Sequence, residues 1–535
     1  MKTYPSLRRW LAVIATVVVF GSVVAAACWR TQLADGKPAP TDAGKNEDSN
    51  KHAWPLFGGS QNRDMVNTVD KDVPTEWKVQ EGDLSKNIKW STDLGSKAYG
   101  GPVIAGGKIF VGTNNENPRD DKITGDKGVV MCFDAGSGKF LWQAVHDKLA
   151  AGRVQDWPRE GICSTPAIDG KHIYYVSNRC EVVCSTVDGK RDEKTGKTVE
   201  DVVWKLDMIK DWSVFPHNLA TCSPLVVGDM LFIVTSNGVD EGHKNIPQPK
   251  APSFLGINKK TGEVVWHDNS PGENIMHGQW SNPVYAEIKG KPQVIFPGGD
   301  GYLYAFEPAK GKLLWKFDCN PKNSKYELGG NGTKSDFLAT PVVHDNKAYV
   351  GVGQDPEHNL GVGHLWCIDI TKEPKGADKD LSPVKDNFDP KADVNKDSGL
   401  VWHYGGPAPD DYDRDFLFGR TMSTVAINDG LVYAAELGGI LHCLDAKTGK
   451  HYWEHDLRSQ TWSSPYWVDG KVYMGTDGGK IFIFEHGKTK KLVNTVDMSV
   501  KDKNGTVVRP KIRATPVAAD GIFYVMTENK LYAIK

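Results

Sequence analysis

From about residue 100 to the end, short apolar runs separated by polar turn residues return again and again. "GGPVIAGGKIFVG", "STPAIDGKHIYYV", "SPLVVGDMLFIV", "NPVYAEIKGKPQVIF", "TPVVHDNKAYVG", "STVAINDGLVYAA", "SPYWVDGKVYMG" and "TPVAADGIFYV" make eight starts, most opening on a small residue and Pro. Alternating runs bounded by Gly, Asp and Lys turns predict strands. A second pattern follows each pair of runs. "CFDAGSGKFLW" ends at Trp142, "GINKKTGEVVW" at Trp266, "AFEPAKGKLLW" at Trp315 and "CLDAKTGKHYW" at Trp453, so a small strand residue precedes by ten positions a Trp that closes a hairpin. Trp204 and Trp402 end the same pattern after insertions of 10 and 25 residues, and Val493 takes the Trp position in "KTKKLV".

A unit of about 50 residues with four strands is a propeller blade. The eighth unit stops at "LYAIK", one strand short, and "NIKWSTDLG" around Trp90 can supply that strand from the other end of the chain. The expected fold is all-β: an eight-bladed β-propeller of four-stranded antiparallel blades, closed by an N-terminal strand that leaves no open sheet edge. The blades lack the Trp-Asp endings and Gly-His starts of WD repeats.

Charge narrows the function classes. Lys plus Arg (65) nearly balances Asp plus Glu (67), no basic stripe is present, and no nucleic-acid partner is expected. At the N-terminus, Lys2, Arg8 and Arg9 precede "LAVIATVVVFGSVV" and then "AAAC". This reads as an export signal or an N-terminal membrane anchor over residues 1–30. Cleavage after Ala27, lipidation of Cys28, and retention as a span of roughly 27 Å are the three outcomes. Each puts the body outside the cytoplasm, in the periplasm or cell envelope. Residues 31–53 are polar and read as a flexible linker, with the propeller over 54–535.

Nine cysteines in an exported chain suggest disulfides. The repeat register argues otherwise. The eight positions equivalent to the template's small residue are Cys132, Cys184, Gly256, Ala305, Cys367, Cys443, Ile483 and Ala533. Four cysteines therefore occupy a slot for small or apolar residues and are expected as buried thiols. Cys180 and Cys184 lie too far apart on one strand to pair. Cys163 and Cys222 read as equivalent first-strand positions of neighbouring blades.

Antiparallel order sends first-to-second and third-to-fourth strand turns to one end of the ring, and these are short. The other end collects the long loops, among them "SNGVDEGHKNIPQPKAP", "GQDPEHNLGVG" and "HDNSPGENIMHGQW". Rigid scaffolds carry binding surfaces on such loops, so Arg159, His217, His277, Asp410, Asp411 and Arg420 are binding-face candidates for a protein or polymer partner. The stretch "WHYGGPAPDDYDRDF" (402–416) belongs to this decorated face. Asp410, Asp411, Asp413 and Asp415 are expected as an acidic patch, solvated or paired with Arg414 or Arg420.

"CLDAKTGKHYW" closely resembles the tryptophan-docking motif of the PQQ-type repeat, and the lead-in "WPLFGGSQNRDMVN" resembles the first segment of such proteins. Two functions follow from that resemblance. The quinoprotein alcohol dehydrogenases imply PQQ with a Ca²⁺ or lanthanide ion. Their pattern would make Asp413 the catalytic base and Gln354, Asp413, Asp415 and Asp300 the metal ligands. The segment "PDDYDRD" is one residue short of that pattern, however, and no two cysteines are adjacent to form the vicinal disulfide that stacks on PQQ. The propeller lipoprotein of the outer-membrane barrel-assembly machinery implies instead a non-catalytic envelope scaffold, possessing no cofactor. The scaffold is the preferred expectation and the dehydrogenase its alternative.

Overall fold

The computed structural model describes residues 52–79, 85–327, 332–502 and 504–535. The expected leader, Cys28 and most of the expected linker lie outside them. The described residues from His52 onward fall in one compact unit, and none of their helices is long and apolar enough to cross a membrane.

Eight antiparallel sheets follow one another along the chain, each with four strands as its repeating part. Blade one runs from Val103–Ala105 through Lys108–Asn114 and Lys127–Asp134 to Phe140–Asp147. Blades two to seven start at Ala167, Leu225, Val284, Val342, Ala426 and Tyr466. Blade eight has Val517–Ala519, Ile522–Met526 and Lys530–Ile534, and its outer strand is Ile88–Asp93. Trp90 pairs with Ala533 in that strand, so the ring closes as the truncated last repeat predicts. Both faces of each sheet are covered by neighbours, which is why the second and third strands are apolar almost without interruption.

All eight small-residue positions hold the same place in the register. Cys132 pairs with Trp142, Cys184 with Trp204, Gly256 with Trp266, Ala305 with Trp315, Cys367 with Trp402 and Cys443 with Trp453. An irregularity in the ladder sits beside each of these pairs, and such a bulge bends the outer strand and re-aims its side chain. The indole then reaches the next blade. Trp90, Trp142, Trp204, Trp266, Trp402 and Trp453 donate to the carbonyls of Ala135, Val187, Lys259, Pro308, Ala446 and Gly487 at 2.7–3.3 Å. The turn glycine of the motif is required there: Gly262 has φ +78°, and a Cβ on it would lie 2.7 Å from the Trp204 ring. Trp315 donates instead to Gln293 Oε1 at 2.7 Å, and Gln293 Nε2 passes the link to the Ile370 carbonyl of the next blade.

Two expectations need correction. In blade seven the partner of Ile483 is Asn494, not Val493, because the "HGKTKK" turn is one residue longer than the template. Ser164, not Cys163, is the counterpart of Cys222: Ser164 Oγ and Cys222 Sγ accept from the equivalent Val176 and Val234 amides. All eight described cysteines are free thiols. Cys132, Cys184, Cys367 and Cys443 are buried, as their slot requires.

The small-residue-and-Pro openings line the central channel, where side chains tie each blade to the next. Gly101 N donates to Thr165 Oγ1, Thr165 N to Ser223 Oγ and Ser223 N to Asn282 Oδ1. Further round, Thr340 N donates to Thr424 Oγ1, Thr424 N to Ser464 Oγ and Ser464 N to Thr515 Oγ1. Asn282 Nδ2 bridges the gap by donating to Thr340 Oγ1 at 2.7 Å.

Candidate functional site

The channel is closed at one end by the lead-in segment, which touches the innermost strand of every blade in ring order. Trp54 exchanges backbone bonds with Ile104 of blade one, and Pro55 accepts from Ile168 of blade two. Gln61 bonds Val226 of blade three through its side chain and Tyr285 of blade four through its carbonyl. Asn62, Asp64 and Met65 accept from Val343, Ile427 and Trp467 of blades five to seven, and Asn67 donates to Ala518 of blade eight. Arg63 is fully buried at the centre. Its three nitrogens donate to the carbonyls of Pro283, Phe57, Ser223 and Pro224 at 2.8–3.1 Å, and burial draws its pKa down to about 10, leaving it charged at neutral pH.

Above this floor the channel is a cup of about 520 Å³ lined by residues from all eight blades. Trp54 and Phe57 form the base. Trp157, Trp280, Trp462 and Tyr99 stand around the wall, with Arg513 among them. The Arg513 guanidinium lies 4.0 Å from the Trp462 ring centroid, donates to Tyr99 Oη at 2.7 Å and pairs with Asp477 at 3.1 Å. An arginine packed against aromatic rings and anchored by a carboxylate is preorganised for contact at low entropic cost.

One side of the rim is a cluster of histidines. His217 comes from the connection into blade three, His243 from a loop within blade three, and His277 from the connection into blade four; Asp355 and His358 come from a loop of blade five. Asp355 Oδ2 accepts from His277 Nδ1 at 2.7 Å and His358 Nδ1 at 2.8 Å. Burial would raise the Asp355 pKa, but these two imidazoles outweigh it and hold the carboxylate well below its ordinary range. Close behind, Asp336 is pushed up to about 7 by burial and by the Asp355 charge. Gly238 lets the loops meet, since a Cβ on it would lie 2.6 Å from both His217 Cβ and the His277 carbonyl.

The ring brings together two of the expected binding residues, His217 and His277, at 4.5 Å between centroids. The others are dispersed. Arg159 is exposed and pairs with Glu116 at 3.0 Å. Asp410, Asp411, Asp413 and Asp415 are exposed on a hairpin that carries the outer strand Leu400–Pro407 of blade five into an extra strand, Phe416–Phe418. Residues alternate along this hairpin. Tyr412 donates to Glu454 at 2.8 Å and Arg414 makes a two-pronged bond to Glu436 at 2.8 and 2.9 Å, while the aspartates stay exposed. Of the two expected states, the aspartates take the solvated one rather than pairing with Arg414 or Arg420. Arg414 is committed to Glu436, and Arg420 donates to Gln354 Oε1 and to the carbonyls of His358 and Asn359.

The residues at the dehydrogenase-like positions do not fit a quinone held beside a hard cation. Gln354 Oε1 accepts from Arg420, and its Nε2 donates to the Gly332 and Lys334 carbonyls at 2.7 and 3.2 Å. Asp300 is buried, accepts from Tyr304 Oη at 2.5 Å, and is raised to about 6 chiefly by burial. Asp413 and Asp415 face solvent on the outer hairpin. A cation needs these oxygens converging on one point.

The family model described as outer membrane protein assembly factor BamB matches residues 126–375 and 392–535. The chain belongs to that family. Its relatives also include dehydrogenases. Polyvinylalcohol dehydrogenase of Sphingopyxis sp. (strain 113P3) is 22% identical over 374 residues, 61% of this chain and 50% of the relative. The dehydrogenase subunit of the quinone alcohol dehydrogenase of Acetobacter aceti is 21% identical over 469 residues, 83% of this chain and 53% of the relative. The chain thus spans about half, or less, of the length of the curated relatives it matches. Among solved structures, BamB from Moraxella catarrhalis aligns with a TM-score of 0.49 at 12% identity, covering 83% of this chain and 96% of that one. Quinohemoprotein alcohol dehydrogenase from Comamonas testosteroni aligns with 0.46 at 12% identity, covering 93% and 82%.

His243, Asp355 and His358 escaped the sequence reading although "DEGHKN" and "QDPEH" lie in loops it marked as decorated. Nothing local joins those loops; the signal is their shared end of the ring together with the histidines at 217 and 277.

Proposed function

We propose that the chain is a non-catalytic binding propeller of the cell envelope, holding a protein or polymer partner in the cup at its decorated end. The observation that carries this reading is the cup itself, with its base stoppered by the lead-in and its wall set with Trp157, Trp280, Trp462 and Arg513. Aromatic and arginine side chains held rigidly in a concave surface are the residues that dominate binding energy at interfaces. Membership of the BamB family supports protein partners in the envelope. A photo-crosslinking residue in place of Leu219, on the wall of the cup, is expected to trap a partner in cells. The same residue in place of Lys171, in a short turn at the opposite end, is expected to trap none. Equal adducts from both positions would sink the reading.

A second reading, a PQQ-dependent alcohol or aldehyde dehydrogenase, is favoured by the dehydrogenase relatives. The engaged states of Gln354 and Asp300 and the exposure of Asp413 speak against it. Purified chain given PQQ and Ca²⁺ is expected to develop no alcohol-dependent dye reduction. Turnover would reverse the preference.

A further inference from the structure

We propose that His217, His243 and His277 bind a divalent transition-metal ion, Zn²⁺ in the first instance, at the rim of the cup. This site stands apart from the reading of the cup as a partner-binding surface, because its chemistry rests on the three imidazoles alone.

One nitrogen from each histidine lies within 4.8 Å of the other two. The outward hydrogen bonds fix which nitrogens face inward. His217 Nδ1 is 2.8 Å from the Val239 carbonyl, which only accepts, so Nδ1 carries the proton and Nε2 bears the lone pair. His277 Nδ1 likewise donates to Asp355, leaving its Nε2 as the lone-pair nitrogen of the neutral ring. A carbonyl or carboxylate behind each imidazole is the arrangement that orients metal-binding histidines and raises their basicity.

Two further observations point to an ion. His217 is 1% exposed, and its Nε2 is buried without a hydrogen-bond partner. Such an orphaned acceptor costs on the order of 1–3 kcal/mol unless something satisfies it. Secondly, His277 Nε2 and His243 Nε2 are 3.3 Å apart. Two nitrogens sharing a tetrahedral ion at about 2.05 Å would lie roughly 3.3 Å from each other. A proton between them would satisfy that pair but would leave His217 Nε2 unserved; one cation serves all three. Three neutral imidazoles suit zinc, with a fourth position left for water or a donor group reaching in from the cup that His277 lines.

The test is calorimetric titration of Zn²⁺ into full chain stripped with a chelator, followed by Co²⁺ in its place. Binding of about one ion per chain at sub-micromolar Kd is expected, with the visible absorption of tetrahedral Co²⁺. His277→Gln and His217→Gln are each expected to weaken binding by about 100-fold. His243→Gln, altering a partly exposed loop residue, should do the same without threatening the fold. His442→Gln, in the separate His442–His451–Glu454 group, should leave the affinity of the His217–His243–His277 site unchanged. Absence of binding would overturn the proposal, as would binding lost in His442→Gln but kept in His243→Gln.

Discussion

The two ends of the channel differ in how completely their polar groups are satisfied. At the floor, Arg63 spends all three nitrogens on carbonyls and the lead-in bonds each blade in turn, with the Trp467 indole N–H a buried exception that lacks a partner. At the rim, His217 Nε2, Glu160 Oε2, Asp336 Oδ1 and Arg420 Nε are buried without partners. Native proteins satisfy nearly all buried polar groups, so the contrast separates a region shaped for stability from one that keeps bonding capacity in reserve. Burial alone does not distinguish them, since both ends hold buried charge.

The comparison breaks most visibly at Arg63. Arg63→Ala would orphan the carbonyls of Phe57, Ser223, Pro224 and Pro283 and open a void at the centre of the stopper. The expected loss is about 3–5 kcal/mol, read as a lowered urea midpoint. A loss below about 1 kcal/mol would mean that the lead-in lies on the floor without securing it. Trp90→Ala comes next. The Trp90 indole donates to Ala135 and covers Gly138 at the closure of the ring, but it is only partly buried. A cost of about 2–3 kcal/mol is expected, and protease cleavage should concentrate near residues 86–95 if that strand is what holds the ring shut.

The fold was legible because the repeat shows the same chemistry eight times, and the register of Cys132, Cys184, Cys367 and Cys443 followed from it. Departures from the template were not legible in the same way. The longer blade-seven turn moves the Trp position from Val493 to Asn494, and Cys222 has Ser164 rather than Cys163 as its counterpart, one residue on. The lead-in has no repeat to reveal it; its residues meet partners up to 451 positions away. The histidine cluster is similar. Each loop looks like an ordinary decorated loop, and only ring geometry sets His277 beside Asp355, 78 positions on.

A smaller effect sharpens the contrast at a short turn on the rim side, where the charges are paired. Glu181 accepts from Lys205 at 3.2 Å and Ser177 at 3.1 Å and lies 3.6 Å from His146 Nδ1. Burial would raise its pKa, but His146 and Lys205 outweigh it and lower it to about 2. A carboxylate with a depressed folded pKa stabilises the fold above its ordinary value of 4.5, and that stability is lost as pH falls toward about 2. Glu181→Gln is therefore expected to cost about 1–2 kcal/mol at pH 7, after allowance for solvent screening, with the gap to wild type closing in acid. A gap independent of pH would assign the loss to packing.

The smallest effect is expected from the most conspicuous sequence. Replacing Asp410, Asp411, Asp413 and Asp415 together by Asn removes four exposed carboxylates from a hairpin held by other residues, Tyr412 on Glu454 and Arg414 on Glu436. Stability should stay within about 0.5 kcal/mol of wild type, and easing of like-charge repulsion gives the change a favourable sign at low salt. Arg414→Met is the informative counterpart, because it leaves Glu436, 2% exposed, with the His442 imidazole as its remaining side-chain partner. If the four-Asn variant loses more than Arg414→Met, the hairpin is held by its acidic edge and the alternation argument fails. Calcium titration gives the independent check: wild type and the four-Asn variant should give the same heats, since carboxylates spread around an exposed hairpin turn do not converge as a hard cation requires.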